Sequence, residues 1–173
     1  MAGTILYTKD TMEDEGKKRK LVVAVSGGFD PIHIGHVRMF ERAKALGDKL
    51  VVILNNDNWL RAKKRHVFMK EFERKEVIRA LRTVDEVVLT RHGQNPTDMS
   101  VSIELAEIKP DIFANGGDRN EADAANPESS LHKDIALCKE LGIKMVFNVG
   151  DDGKSQSSSW LLADYIKKVS GSK

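Results

Sequence analysis

The chain has a single cysteine, Cys138, among 173 residues. One thiol excludes an internal disulfide framework and suits a reducing cytoplasm. No run of about 18 consecutive apolar residues occurs, so no membrane span is expected. The first 19 residues lack the apolar core of a signal peptide and run into an acidic-then-basic stretch, Glu13 to Lys20; residues 1–19 read as a flexible charged tail. Its basic end can touch phosphate or simply solubilise. A formal net charge of only +2 lacks the excess of a nucleic-acid binder. Internal repeats are absent too, as is any sign of a second domain.

What remains is a chain 40% hydrophobic and 31% charged, enough for one domain over residues 20–173. Short Val- and Ile-rich runs predict strands near 20–26, 49–54, 85–90, 111–115 and 143–148. Between them, helical periodicity predicts helices near 35–47, 71–82, 99–108 and 131–141, with a fifth at about 158–169. The first carries Val37, Phe40, Ala43 and Leu46 on one stripe; the last places Leu162, Tyr165, Ile166 and Val169 inward. Alternating strands and helices imply an α/β fold, a Rossmann-like, doubly wound parallel sheet of five strands with helices on both faces. Ligands bind beyond the carboxyl ends of such strands. The unusual polar segments do follow strands: Gly27 to His36, Asn55 to Asp57, Asn115 to Arg119 and Gly150 to Ser159. Residues 119–130 have no periodicity and read either as a lid or as a plain surface connection.

The segment Gly27-Gly-Phe-Asp-Pro-Ile-His-Ile-Gly-His36 joins the apolar run Leu21–Val25 to the amphipathic stretch from Val37. A strand, a glycine turn and a helix start in succession make an anion site, because the first helical amides lack partners and the dipole is positive there. His33 and His36, three apart, can both donate to phosphate oxygens. Pro31 fixes the turn, and Gly35 removes a side chain between the histidines and a substrate. Two other readings are a zinc half-site, for which His66, His92, His132 and Cys138 show no matching spacing, and an inert helix start. Ser157, Ser158 and Ser159 precede a helix and suit either capping or phosphate binding. Trp59 and Trp160 either stack on a base or pack.

The Gly-x-Phe-Asp and His-x-Gly-His pattern resembles the signature of the HIGH-motif nucleotidyltransferase superfamily, which includes cytidylyltransferases and several adenylyltransferases. The resemblance runs over roughly 140 residues, from first strand to last helix, a domain-sized unit. It implies transfer of a nucleotidyl group from a nucleoside triphosphate to a small phosphorylated acceptor, with pyrophosphate released and Mg²⁺ carried by the triphosphate. His33 and His36 match the catalytic histidines and Lys63 the catalytic lysine. Arg65 matches another basic loop position. Nucleotide binding is implied for Gly27, Gly28, Phe29, Asp30, Arg74, Asn115, Gly116, Asp118, Ser157, Ser158 and Ser159. Asp30 either orders the turn or approaches the metal. A homodimer is implied through the Arg82-Thr-Val-Asp-Glu region. The register from Gly28 to Val88, gapless between Asp57 and Arg74, favours CTP, as in the glycerol-3-phosphate cytidylyltransferases. Asn115-Gly-Gly-Asp118 and the later Asp-Gly favour ATP and a sugar 1-phosphate, as in the heptose-1-phosphate adenylyltransferases. Asp152 to Gln156 departs from the cytidylyltransferase pattern, with Lys154 a partial substitute for its arginine. A nucleotide sensor without turnover is the rival outside enzymes.

Overall fold

The computed structural model describes residues 19–116, 126, 129–150 and 156–171. The tail to residue 18, Asp118, Lys154 and most of the 119–130 segment lie outside the described residues. Five parallel strands, β1 (Val22–Gly27), β2 (Lys49–Leu54), β3 (Glu86–Leu89), β4 (Ile112–Ala114) and β5 (Lys144–Val146), lie in the order β3-β2-β1-β4-β5. The chain builds outward from β1 to β3, then returns to the other side of β1 as β4. The crevice between β1 and β4 is therefore the topological switch point at which such sheets bind ligands.

Side chains alternate between the two sheet faces, and the apolar residues sort accordingly. Val23, Val25, Leu50, Val52 and Leu54 join Phe40, Ala43 and Ile78 in one cluster. Ala24, Ile53 and Phe113 join Leu105, Leu131 and Cys138 in the other. The first cluster is closed by α1 (Ile34–Lys44) and α3 (Glu71–Arg79), the second by α4 (Ser102–Ile108) and α5 (Ser130–Leu141). The expected α/β architecture, with a parallel sheet covered on both faces, is thus present. Among the described residues no helix is long and apolar enough to cross a membrane.

Three elements differ from expectation. Residues 57–64 form a helix, α2 (Asp57–Lys64), where only a polar segment was foreseen; the Asn56 side chain accepts from Trp59 N at 3.0 Å and starts it. The helix α4 begins at Ser102 rather than residue 99. Asp134, buried on α5, accepts from Val101 N and Ser102 Oγ, both at 3.0 Å, so a distant side chain sets that boundary. In α6 (Ser158–Ser170) the inward face is not buried: Tyr165, Ile166 and Val169 are all more than half exposed. Trp59 packs, buried, with Nε1 donating to Met99 O at 2.9 Å. Trp160 is exposed. The Arg82–Glu86 segment leads into β3, an edge strand.

Candidate active site

The turn from Gly28 to Pro31 leaves β1 at the switch point and is tied down at three carbonyls. Arg74 Nη1 donates to Gly28 O at 2.7 Å, Lys64 Nζ to Asp30 O at 3.2 Å, and Ser158 Oγ to Pro31 O at 2.9 Å. Helices α3, α2 and α6 each supply one tether. The last bond sets the start of α6 beside the start of α1, so two helix N-termini meet at one crevice. Ser157, buried, is the N-cap of α6, and its amide donates to Gln156 Oε1 at 2.9 Å; Ser159 is exposed.

His33 is the N-cap of α1 in an extended conformation. Its amide donates to His36 Nδ1 at 3.3 Å, and the two imidazoles stack with centroids 3.6 Å apart. A neutral His36 that accepts at Nδ1 carries its proton on Nε2, the atom left to donate. Among the described residues His33 Nδ1 is buried without a hydrogen-bond partner, a cost that a bound donor or acceptor would relieve. Behind them, the Phe29 ring meets His36 and Phe40 edge-on, each at 5.0 Å. Phe29 reaches that place with φ 48°, a left-handed conformation costly for a bulky residue. It buttresses His36 from the core and is too buried to contact a nucleotide broadly.

Both histidines are held neutral. Burial, then the neighbouring His33 and Lys64, pushes His36 down to about 3, and burial followed by Lys64 lowers His33. The sign for stability follows. As pH falls below the ordinary histidine value of 6.5, the unfolded chain protonates at His36 while the folded chain does not until about 3. Stability intact above 6.5 is therefore lost progressively down to about 3, at up to about 1.4 kcal/mol per pH unit from this group. Thermal melts from pH 7 to pH 4 are expected to fall more steeply in the wild type than in His36→Gln. Parallel curves would show that His36 is not buried neutral.

Several expected ligands turn out to be scaffold. Arg74 has no exposure, and its guanidinium is engaged by Met69 O (2.9 Å), Gly28 O (2.7 Å), Asn55 O (2.8 Å) and Asp57 Oδ1 (2.8 Å). It holds the glycine turn instead of phosphate, because its donors are already directed at protein acceptors. Asp30 accepts from Phe68 N at 2.8 Å and Met69 N at 2.7 Å, one bond per oxygen, so it orders the turn and is not placed as a metal ligand. At Gly27 a Cβ would stand 2.8 Å from the Phe29 ring, and at Gly28 2.7 Å from Leu60 Cδ2. Those glycines make room for core side chains. Lys63 is exposed, whereas Lys64, which no motif singled out, is half-buried beside the histidines. Arg65 caps α2 with φ 65° and is exposed.

On the other side of the crevice, Asn115 N donates to Val146 O at 2.7 Å, and Nδ2 to Phe113 O at 3.3 Å. Gly116 backs onto α1: a Cβ there would lie 2.5 Å from Val149 O and 2.6 Å from Met39 Sδ. The loop after β4 thus packs against the histidine helix. Lys64 was missed because helix phase decides it. Asp57, Leu60 and Lys64 are spaced to share one face, and the Asn56 cap that sets this phase was legible.

Residues 24–153 match a family model described as cytidylyltransferase-like. The FAD synthase of Thermococcus sibiricus is 40% identical over 120 residues, covering 69% of this chain and 78% of that protein. The bifunctional protein HldE of Syntrophotalea carbinolica is 35% identical over 130 residues, covering 73% of this chain and 24% of its own. Among solved structures, the lipopolysaccharide core biosynthesis protein of Thermoplasma volcanium superposes with a TM-score of 0.60 at 29% identity, over 78% of this chain and all of that one.

Proposed function

The chain belongs to the cytidylyltransferase-like family and is a nucleotidyltransferase, and from that premise we propose that it transfers AMP from ATP to a small phosphomonoester with release of pyrophosphate. An oxygen of the acceptor's phosphate attacks the α-phosphorus; the bond to the bridging oxygen of the β-phosphate breaks, and pyrophosphate leaves with the electron pair. The nucleophile is already an anion at pH 7, so no general base is required. The site has to position reactants in line and stabilise the charge that builds on the α-phosphate. The stacked His33–His36 pair at the α1 N-terminus is the observation that carries this reading. His36 Nε2 and the first α1 amides donate to the α-phosphate, while the Ser157 hydroxyl and the α6 amides hold the departing pyrophosphate, the Ser158 hydroxyl being engaged with Pro31 O. Asn115 and Gly116 border the nucleoside side.

ATP is preferred to CTP for two reasons. A protein that makes FAD joins an adenylate to the phosphate of flavin mononucleotide, and FAD synthases recur among the relatives. The gapless Asp57–Arg74 spacing, which favoured CTP, is explained otherwise: the two ends form a buried ion pair under the turn, so the spacing belongs to the scaffold and not to base selection. Flavin mononucleotide is the first acceptor to test and a sugar 1-phosphate the second, the latter favoured by the full-length match to the lipopolysaccharide core protein. Among the described residues no three His, Cys, Asp or Glu side chains cluster as a metal site. A magnesium ion would arrive with the triphosphate and supply charge neutralisation there.

Calorimetric titration with ATP and CTP, Mg²⁺ present, is expected to show ATP binding at least about tenfold tighter, a difference of about 1.4 kcal/mol. Pyrophosphate release is then expected with flavin mononucleotide. Preference for CTP would overturn the donor; ATP binding without pyrophosphate from any phosphorylated acceptor would leave a sensor.

A further inference from the structure

On the reading just proposed, we infer that the side-chain amide of Asn55, the first residue after β2, binds a hydroxyl on the acceptor's carbon skeleton and so selects polyhydroxylated phosphomonoesters. The main chain of Asn55 is held at both ends. Its N–H donates to Gly27 O at 2.9 Å, and its carbonyl accepts from Arg74 Nη1 at 2.8 Å, the same nitrogen that fastens Gly28 O. The residue is therefore fixed beside the glycine turn. Its neighbours direct their side chains at the protein: Asn56 accepts from Trp59 N and donates to His92 O, Asp57 pairs with Arg74, and Asn58 donates to His92 O. Asn55 differs from them. It is 4% exposed, and among the described residues its Oδ1 is buried without a hydrogen-bond partner. An unpaired buried carbonyl costs stability, and a ligand that donates to it removes that cost.

Position selects the ligand. Strands β2 and β4 flank β1 on opposite sides. With Asn115 and Gly116 bordering the nucleoside after β4, the acceptor approaches the α-phosphate from the β2 side, over Asn55. An oxygen such as Oδ1 takes an O–H or N–H donor. Flavin mononucleotide and a sugar 1-phosphate both carry hydroxyls on the carbons that follow the phosphate, and one of these supplies the missing donor. The amide torsion of asparagine is broad, so rotation at χ2 turns Oδ1 toward the crevice with no change of backbone. Being uncharged, Asn55 discriminates at the carbon skeleton and leaves the phosphate to other groups.

The test compares the wild type with Asn55→Leu by kcat and KM for flavin mononucleotide and for glucose 1-phosphate at saturating ATP. Each acceptor is run beside analogues lacking one hydroxyl, together with calorimetric ATP binding and thermal melting. The acceptor that is turned over identifies the source of the hydroxyl. In the wild type, one deoxy analogue is expected to raise KM about tenfold, and Asn55→Leu to raise KM for the parent acceptor by a similar factor, with ATP affinity unchanged. The two losses should not add, since both remove the same bond. Asn55→Leu should melt no lower than the wild type, because it removes a buried carbonyl without a partner. Should leucine not fit, Asn55→Ala gives the same comparison without overpacking. A variant that melts lower with an unchanged acceptor KM makes Asn55 a structural residue, and losses that add show that the hydroxyl is held elsewhere; either result overturns the inference. If no acceptor releases pyrophosphate, the transfer reading falls, and calorimetry with the same two phosphomonoesters decides Asn55. Binding weakened about tenfold in the variant retains it, while equal binding, or none in either protein, overturns it.

Discussion

Replacing Arg74 by methionine is expected to lower stability by about 3–5 kcal/mol, the cost of removing one partner from a buried ion pair. The methionine fills much of the same volume, so the loss reports the polar groups left behind. Asp57 becomes a buried carboxylate without its guanidinium, and the carbonyls of Gly28, Asn55 and Met69 lose their donor. In a domain of this size the melting temperature should fall by about 6–20 °C. Lysine rescues little, since one ammonium cannot reach four acceptors in the fork geometry of arginine. If Arg74 instead bound phosphate, as the motif resemblance implies, melting would barely move and the KM for the triphosphate would rise. Thermal unfolding of Arg74→Met beside its ATP affinity separates the two.

His36→Ala is expected to lower kcat on the order of 10²-fold or more, as loss of a preorganised transition-state donor does. The direction of the donor is what gives it weight. The His33 amide holds His36 Nδ1, the Phe29 ring fixes the plane, and the imidazole stays neutral at working pH with its remaining proton on Nε2. Because the charge it meets grows only as the bond to pyrophosphate breaks, kcat and kcat/KM should fall together while ATP affinity changes less. A single-turnover measurement with a melt at pH 8, above the window of acid sensitivity, keeps folding out of the comparison. A near-normal kcat would remove His36 from the chemistry.

Much of the scaffold was legible. Val22–Val25 and Leu50–Leu54 are apolar on both faces, the mark of central parallel strands, and Gly142, a glycine just past a helical stripe, ends α5 in the left-handed conformation. The glycine turn and the histidine pair stand at the helix start that their pattern announces. What escaped depends on partners far off in sequence. Asp134 fixes where α4 starts, 33 residues from Val101. Arg74 resembles a phosphate ligand by position, and only its burial beneath the turn reveals a strut. The apolar stripe of α6 carries helical periodicity but no statement of what covers it. Lys63 and Lys64 are chemically alike, and a helix phase set by Asn56 separates them.

The Pro31 carbonyl is held by Ser158, 127 residues later in the chain. During synthesis the sheet can assemble from β1 to β5 while that tether is still unmade, as long-range contacts form late. A nascent chain that already contains both histidines, Lys64 and Arg74 therefore has two of the turn's three tethers, and the third waits for α6. Completion of the turn is thereby tied to synthesis of α6, and a chain that stops at β5 carries the crevice with the Pro31 carbonyl unheld.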